Sequence, residues 1–178
     1  MKVNTVGKRF FEVERAYLAG LLDADGAIMA TIERHSEKKF RYRVRVTIQI
    51  TQHDRKILDW IIRKLKCGYV HKNRTTFDWL IRNQSTAKDV LTLLLPHLKV
   101  KKNQAKIAIR ILNGKINKFA DLLKIARFAD ALSMLNVRSK NRRKNFTAMI
   151  QKIPPLTTKR YCFGNITRDR SFPKTTDK

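Results

Sequence analysis

From Phe40 to Thr51 apolar and polar residues alternate without a break: Phe40, Tyr42, Val44, Val46, Ile48 and Ile50 against Arg41, Arg43, Arg45, Thr47, Gln49 and Thr51. A period of two predicts a strand with one face in the core and the other carrying cations and hydrogen-bonding groups. A shorter alternation, Ile28, Ala30 and Ile32 against Met29, Thr31 and Glu33, predicts a partner strand, with polar residues 35–39 between the two. Helical spacing takes over at 52–66 through Ile57, Leu58, Ile61, Ile62 and Leu65, and Gly68 is expected to end that helix. Residues 69–82 read as a second hairpin with its turn near Arg74. Val70, Phe77, Trp79 and Ile81 face the core; Tyr69, His71, Asn73, Thr76, Asp78 and Arg82 face away. Ser85 or Thr86 is placed to cap a helix running to Leu95, and further helices are predicted over about 101–113, 117–135 and 146–153. Helix, two strands, helix, two strands and then helices make an α+β fold, an αββαββα core with extra C-terminal helices. Its one antiparallel four-stranded sheet is backed by helices and leaves a polar face open to a ligand.

The first helix is unlike the others. Within Ala16-Tyr17-Leu18-Ala19-Gly20-Leu21-Leu22-Asp23-Ala24-Asp25-Gly26, the small residues Ala16, Gly20 and Ala24 recur at every fourth position and share one face. Such a face lets a second helix approach backbone to backbone. The helix then closes on two acids, Asp23 and Asp25, where its dipole is already negative, an arrangement that calls for an offsetting cation. Gly26 suits the left-handed residue just past a helix C-terminus. The pattern occurs once in the chain, and no internal repeat accompanies it.

Composition narrows the partner. Forty Lys and Arg against 14 Asp and Glu give a net charge of +26 in 178 residues, which repels itself unless a polyanion neutralises it. Nucleic acid is the leading candidate. No apolar run suits a membrane span or a signal peptide, so a soluble, intracellular protein with access to DNA is expected and a membrane role is not. The cysteines, Cys67 and Cys162, have neither ligand spacing nor a disulfide framework. A basic run from Arg138 to Lys144, with Lys140, Arg142 and Arg143, suits backbone phosphate, and Pro154-Pro155 opens a polar tail. The expected division is a core over 1–137 and a basic extension over 138–178.

Leu18-Ala19-Gly20-Leu21-Leu22-Asp23-Ala24-Asp25-Gly26 differs only at Leu22, where Ile is usual, from the motif that names the LAGLIDADG homing endonucleases. The element order also resembles that family, as do Thr51-Gln52, Gly68-Tyr69-Val70, Leu98-Lys99-Val100-Lys101 and Gln104-Ala105. The likeness covers roughly residues 10–135 and is to the single-motif members, which act as homodimers on long, near-palindromic duplex sites. It implies metal-dependent phosphodiester hydrolysis, with Asp25 and the carbonyl of Ala24 as metal ligands and Gln52, Lys101 and Lys56 as further catalytic positions. Mg2+ or Mn2+ is the implied cofactor, with Ca2+ binding but not supporting cleavage. The motif helices would pack along the dyad through Ala16, Ala19, Gly20, Asp23 and Ala24. Of the two acids, Asp23 suits local hydrogen bonding better than catalysis.

Recognition falls to the sheet, since a β-ribbon fits the major groove. A strand of about ten residues spans roughly 33 Å. That is about 10 base pairs, so a dimer reads on the order of 20. The candidate contacts are Thr31, Glu33, Arg41, Arg43, Arg45, Thr47 and Gln49 on the first hairpin. On the second they are Tyr69, His71, Asn73, Arg74, Thr76, Asp78, Leu80 and Arg82. Three other functions compete: a small RNA-binding or ribosomal protein, an intron maturase of the same fold that partners intron RNA, and a non-cleaving DNA-binding protein. The acidic helix end argues against the first, and Asp25 with Gln52 and Lys101 argues against the last.

Overall fold

The computed structural model describes residues 10–136 and 145–151. The basic run with Lys140, Arg142 and Arg143 and the tail opened by Pro154-Pro155 lie outside them. Helix α1 (Glu12–Asp25) leads directly into β1 (Gly26–Arg34), followed by β2 (Tyr42–Gln52), α2 (Arg55–Leu65), β3 (Tyr69–Asn73) and β4 (Thr76–Ile81). Then come α3 (Gln84–Leu94), α4 (Lys102–Asn113), α5 (Phe119–Asn136) and α6 (Phe146–Gln151). The four strands form one antiparallel sheet in the order β1-β2-β4-β3, so the two hairpins meet along β2 and β4.

The alternation of β2 is realised as a layer. Val46, Ile48 and Ile50 are fully buried beneath α1, α3 and α4, together with Ile28 of β1 and Trp79 and Ile81 of β4. Covering one face with helices leaves the other to water, which is why the polar positions stay polar. Helix α5 lies against β1, and Asn136 Nδ2 donates to the Ile28 carbonyl on that edge strand at 2.5 Å. Phe146 and Ile150 of α6 join the same core, and Asp130 caps α6 by accepting from the Phe146 and Thr147 backbone N–H groups. Packing against α5 therefore continues past residue 137.

Several local expectations are corrected. Gly26 has φ −97° and ψ 169°, extended rather than left-handed, because the chain passes from helix to strand with no intervening turn. A Cβ on Gly26 would lie 2.4 Å from Leu22 Cδ1 and 2.7 Å from the Leu22 carbonyl oxygen, so close approach requires this glycine. Helix α2 ends at Leu65, and Lys66 rather than Gly68 takes the left-handed position that closes it (φ 56°). Gly68 (φ 80°) instead clears the Trp79 indole, which donates to the Cys67 carbonyl at 3.2 Å. Asn83, not Ser85 or Thr86, caps α3, its side chain accepting from the Thr86 N–H at 3.0 Å. Phe40 and Arg41 precede β2; Arg41 is left-handed (φ 61°) and closes the loop through its bonds to His35 and Lys38.

Candidate active site and nucleic-acid interface

The acidic end of α1 is offset from within the chain. Asp23 accepts three successive backbone N–H groups: Lys99 and Val100 on Oδ2 at 2.7 and 3.1 Å, and Lys101 on Oδ1 at 2.8 Å. The Lys101 ammonium donates to the Asp23 carbonyl, one of the oxygens that the last helical turn leaves without an intrahelical partner. A cation at this terminus opposes the helix dipole. Asp25, by contrast, is solvent-exposed, and its carboxylate accepts from Gln52 Nε2 at 2.7 Å. Thus the end of β2 brings Gln52 onto Asp25, while the entry to α4 ties Lys101 to Asp23, two residues earlier on the same helix end. Lys56 does not join them by any hydrogen bond: it is exposed on the first turn of α2, with its backbone N–H donating to Asp54 at 2.8 Å.

The donor chemistry suits a hard divalent cation. Asp23 is committed to backbone N–H groups, so Asp25, whose Oδ2 accepts from Gln52, is the exposed carboxylate, and the adjoining Ala24 carbonyl is an oxygen donor of the kind Mg2+ accepts. Among the described residues no three His, Cys, Asp or Glu side chains cluster as a metal-binding group.

Along the outward side of α1, Val13, Ala16, Tyr17, Gly20 and Ala24 are exposed, an apolar and small stripe ending at Asp25. Ala19 is not part of it. It is fully buried in the chain's own core with Leu18 and Leu22, so the expectation that it meets a partner is corrected. Asp23, half-buried, is turned instead to the 99–101 backbone.

Cross-strand pairs place the sheet's polar residues on one surface, because directly opposed residues share a face. Thr31 is paired with Arg45, Glu33 with Arg43 and Met29 with Thr47 across β1 and β2. Gln49 is paired with Leu80 and Thr51 with Asp78 across β2 and β4, while Tyr69, His71 and Asn73 of β3 oppose Leu80, Asp78 and Thr76. Arg41, Arg74 and Arg82 lie outside the strands: before β2, at the tip of the second hairpin (φ 52°) and after β4, where Arg82 stacks 6.0 Å from the Tyr69 ring centroid. Glu33 is held by Arg45 at 3.6 Å.

Two candidates on this face are not presented to a ligand. Asp78 is 4% exposed and Leu80 7%, because the larger side chains of neighbouring strands close over them. Asp78 accepts from Thr51 Oγ1 at 2.6 Å and Asn73 Nδ2 at 3.2 Å. Burial pushes its carboxyl up, but these bonds, one from Gln49 and the nearby His71 together hold it below the ordinary aspartate value. Met29, Ala27 and Thr51 belong to the same face, since the alternation that places Thr31 and Gln49 there places them there too.

The matches to known proteins follow this geometry. The model of the LAGLIDADG endonuclease family matches residues 18–107. DNA endonuclease I-CvuI of Chlorella vulgaris is 32% identical over 130 residues, 70% of this chain and 80% of that protein. DNA endonuclease I-CreI of Chlamydomonas reinhardtii is 33% identical over 98 residues, 54% of this chain and 60% of its own length. The crystal structure of I-CvuI with the I-CreI target in 2 mM Mg, its DNA not cleaved, superposes with a TM-score of 0.71 at 30% identity. That superposition covers 79% of this chain and 94% of the other. I-CvuI with its own target in 2 mM Ca gives the same TM-score over 79% and 91%. No helix among the described residues is long and apolar enough to cross a membrane. With one motif helix and one four-stranded sheet among the described residues and this match over half its length, the chain belongs to the LAGLIDADG homing endonuclease family as a single-motif member.

Proposed function

We propose that the protein is a site-specific, divalent-metal-dependent double-strand DNA endonuclease that works as a homodimer on a long, near-palindromic site. The observation that carries this reading is the Gln52–Asp25 bond at the end of α1, where Lys101 is bonded to Asp23, together with a sheet face lined by Arg43, Arg45, Thr47 and Gln49. Two such chains packed along the Ala16, Gly20 and Ala24 stripe bring two Asp25 carboxylates together, and the stripe's exposure supports that packing.

Each chain's residues divide the work. Arg43, Arg45, Thr47 and Gln49, with Thr31, Tyr69, His71, Asn73 and Thr76, offer groups matched to base edges and phosphates, and Met29 suits a thymine methyl. Asp25 and the Ala24 carbonyl are the oxygens that would hold Mg2+ or Mn2+, which when bound acidifies water and polarises the phosphoryl oxygen. Gln52 fixes the Asp25 carboxylate and can orient water with its remaining amide groups. Lys101 supplies a fixed positive charge where negative charge develops on the departing oxygen. Lys56, exposed on the first turn of α2, would supply a second positive charge toward the phosphate, and the basic segment beyond Asn136 would add attraction for the duplex. Ca2+, larger and less demanding in geometry, is expected to support binding without cleavage.

The test starts by selecting cleaved sites from a randomised duplex pool with Mg2+, followed by Asp25→Asn on the selected site. Asp25→Asn should abolish cutting while leaving the dissociation constant for the duplex near that of the unaltered protein. Cutting undiminished in Asp25→Asn, or a group I intron transcript bound more tightly than any duplex, would defeat this reading.

A further inference from the structure

We infer that Asp23 is a positioning residue for Lys101: its carboxylate seats the 99–101 backbone so that the Lys101 ammonium is delivered to the end of α1. Three consecutive N–H groups turned onto one carboxylate form an anion-holding nest. Beyond these bonds the stretch is held at its two ends, by Leu98 N–H on the Leu94 carbonyl at 3.1 Å and by Ala105 N–H on the Lys101 carbonyl at 2.9 Å. Leu98 before it is fully buried, but Val100 is 72% exposed, so no apolar side chain anchors the bend between Leu98 and α4. Lys101 itself is bound to Asp23 twice, through its N–H to the side chain and through its ammonium to the Asp23 carbonyl. Backbone and side chain are thus referred to the same residue, two positions before Asp25. Both carboxylate oxygens are occupied, Oδ2 by Lys99 and Val100 and Oδ1 by Lys101, so an amide cannot replace the acid. In Asn the NH2 group would face N–H groups as a second donor. The bend would then relax and carry the ammonium away from Asp25. A displacement near 1 Å in a group of this kind lowers a rate by up to about 10²-fold.

The role in turnover rests on the endonuclease reading; the seating of the bend does not. Lys101→Met should lower the single-turnover cleavage rate by about 10²–10³-fold. Asp23→Asn should lower it by about 10- to 100-fold. Its duplex dissociation constant should move by no more than about threefold. The pair combined should be no slower than Lys101→Met alone, within about threefold. In the free protein, Asp23→Asn should raise amide exchange at Lys99, Val100 and Lys101 while the helical amides of α1 keep theirs. Losses that multiply in the double variant, a wild-type rate in Asp23→Asn or unchanged exchange would each overturn the proposal. If Asp23→Asn does not fold, Asp23→Ser takes its place, and failure of both to fold makes Asp23 structural and overturns it too. If the unaltered protein cuts no duplex, the endonuclease reading falls, and the exchange measurement still decides whether Asp23 seats the bend.

Discussion

Gln52 Nε2 donates to Asp25 Oδ2 across 2.7 Å, tying the last residue of β2 to the last residue of α1. A strand at the centre of the open sheet face and the helix that carries the acid are therefore joined directly. On the proposed reading, seating of a duplex on β2 would reach the carboxylate through that one amide.

Gln52→Leu keeps the size and removes the donor. Asp25 then keeps its charge but loses its fixed orientation. Residues that orient a metal-holding carboxylate typically contribute 10- to 100-fold, so turnover should fall by about that factor. Duplex affinity should hold, because Gln52 contributes no charge to phosphate binding. Single-turnover cleavage alongside a binding titration separates the two effects.

Gly26→Ala tests the close approach behind Asp25. The added methyl would meet the Leu22 carbonyl oxygen at 2.7 Å, and backbone cannot rotate away as a side chain tip can. Overpacking of this sort costs about 1–3 kcal/mol. For a chain of this size that lowers the melting temperature by about 2–4 °C per kcal/mol. Because the shift falls on the residue next to Asp25, cleavage should drop by more than the stability loss accounts for. Calorimetry and cleavage at a temperature well below both transitions would show it.

The element order and the polar face of the sheet were legible because each rests on local periodicity; Asp25 rests on one motif, and Gln52 is marked by the family resemblance alone, since no spacing places it against Asp25. What was not legible depends on register and on contacts between distant segments. The alternation of β2 continues through Phe40 and Arg41, yet both fall in the loop, since a period of two does not say where pairing with β1 stops. Asp78 does lie on the outer face, as its position predicts, but only the pairing with Thr51 and His71 brings in the neighbours that bury it. Asn83, Ser85 and Thr86 offer the same capping chemistry within four residues, and the fold selects the earliest. The offset of the α1 dipole was expected from outside the chain. Much of it comes from Lys101 and the 99–101 amides, through a contact that no spacing in the sequence reveals.

Asp78 gives the sheet an acid-sensitive step. Its carboxyl is held below the ordinary value, so the stabilisation is complete above the unfolded value of about 4 and is lost as pH falls through the lower folded value. Asp78→Asn removes the charged acceptor that Thr51 and Asn73 share. At pH 7 it should cost about 1.5–3 kcal/mol, the range for hydrogen bonds to a charged group. The gap between the two proteins should close as pH drops below about 4. Urea unfolding at a series of pH values measures both; a gap independent of pH would mean that Asp78 contributes by packing rather than by charge.

Gly20 allows the partner contact to be separated from the fold. In the isolated chain a Cβ at Gly20 would meet nothing within 4 Å, although the residue stands in the middle of α1. Glycine in a helix interior costs about 1 kcal/mol relative to alanine, so the chain alone would be more stable without it. Its presence is accounted for if a second α1 approaches along the exposed stripe with Ala16 and Ala24, where a larger side chain would hold the backbones apart. Gly20→Leu should therefore fold at least as stably as the unaltered protein in chemical denaturation, yet sediment as a monomer at concentrations where the unaltered protein is a dimer. It should also fail to cut both strands of its site, because one chain brings one Asp25. A Gly20→Leu protein that remains dimeric and active would place the partner contact elsewhere on the chain.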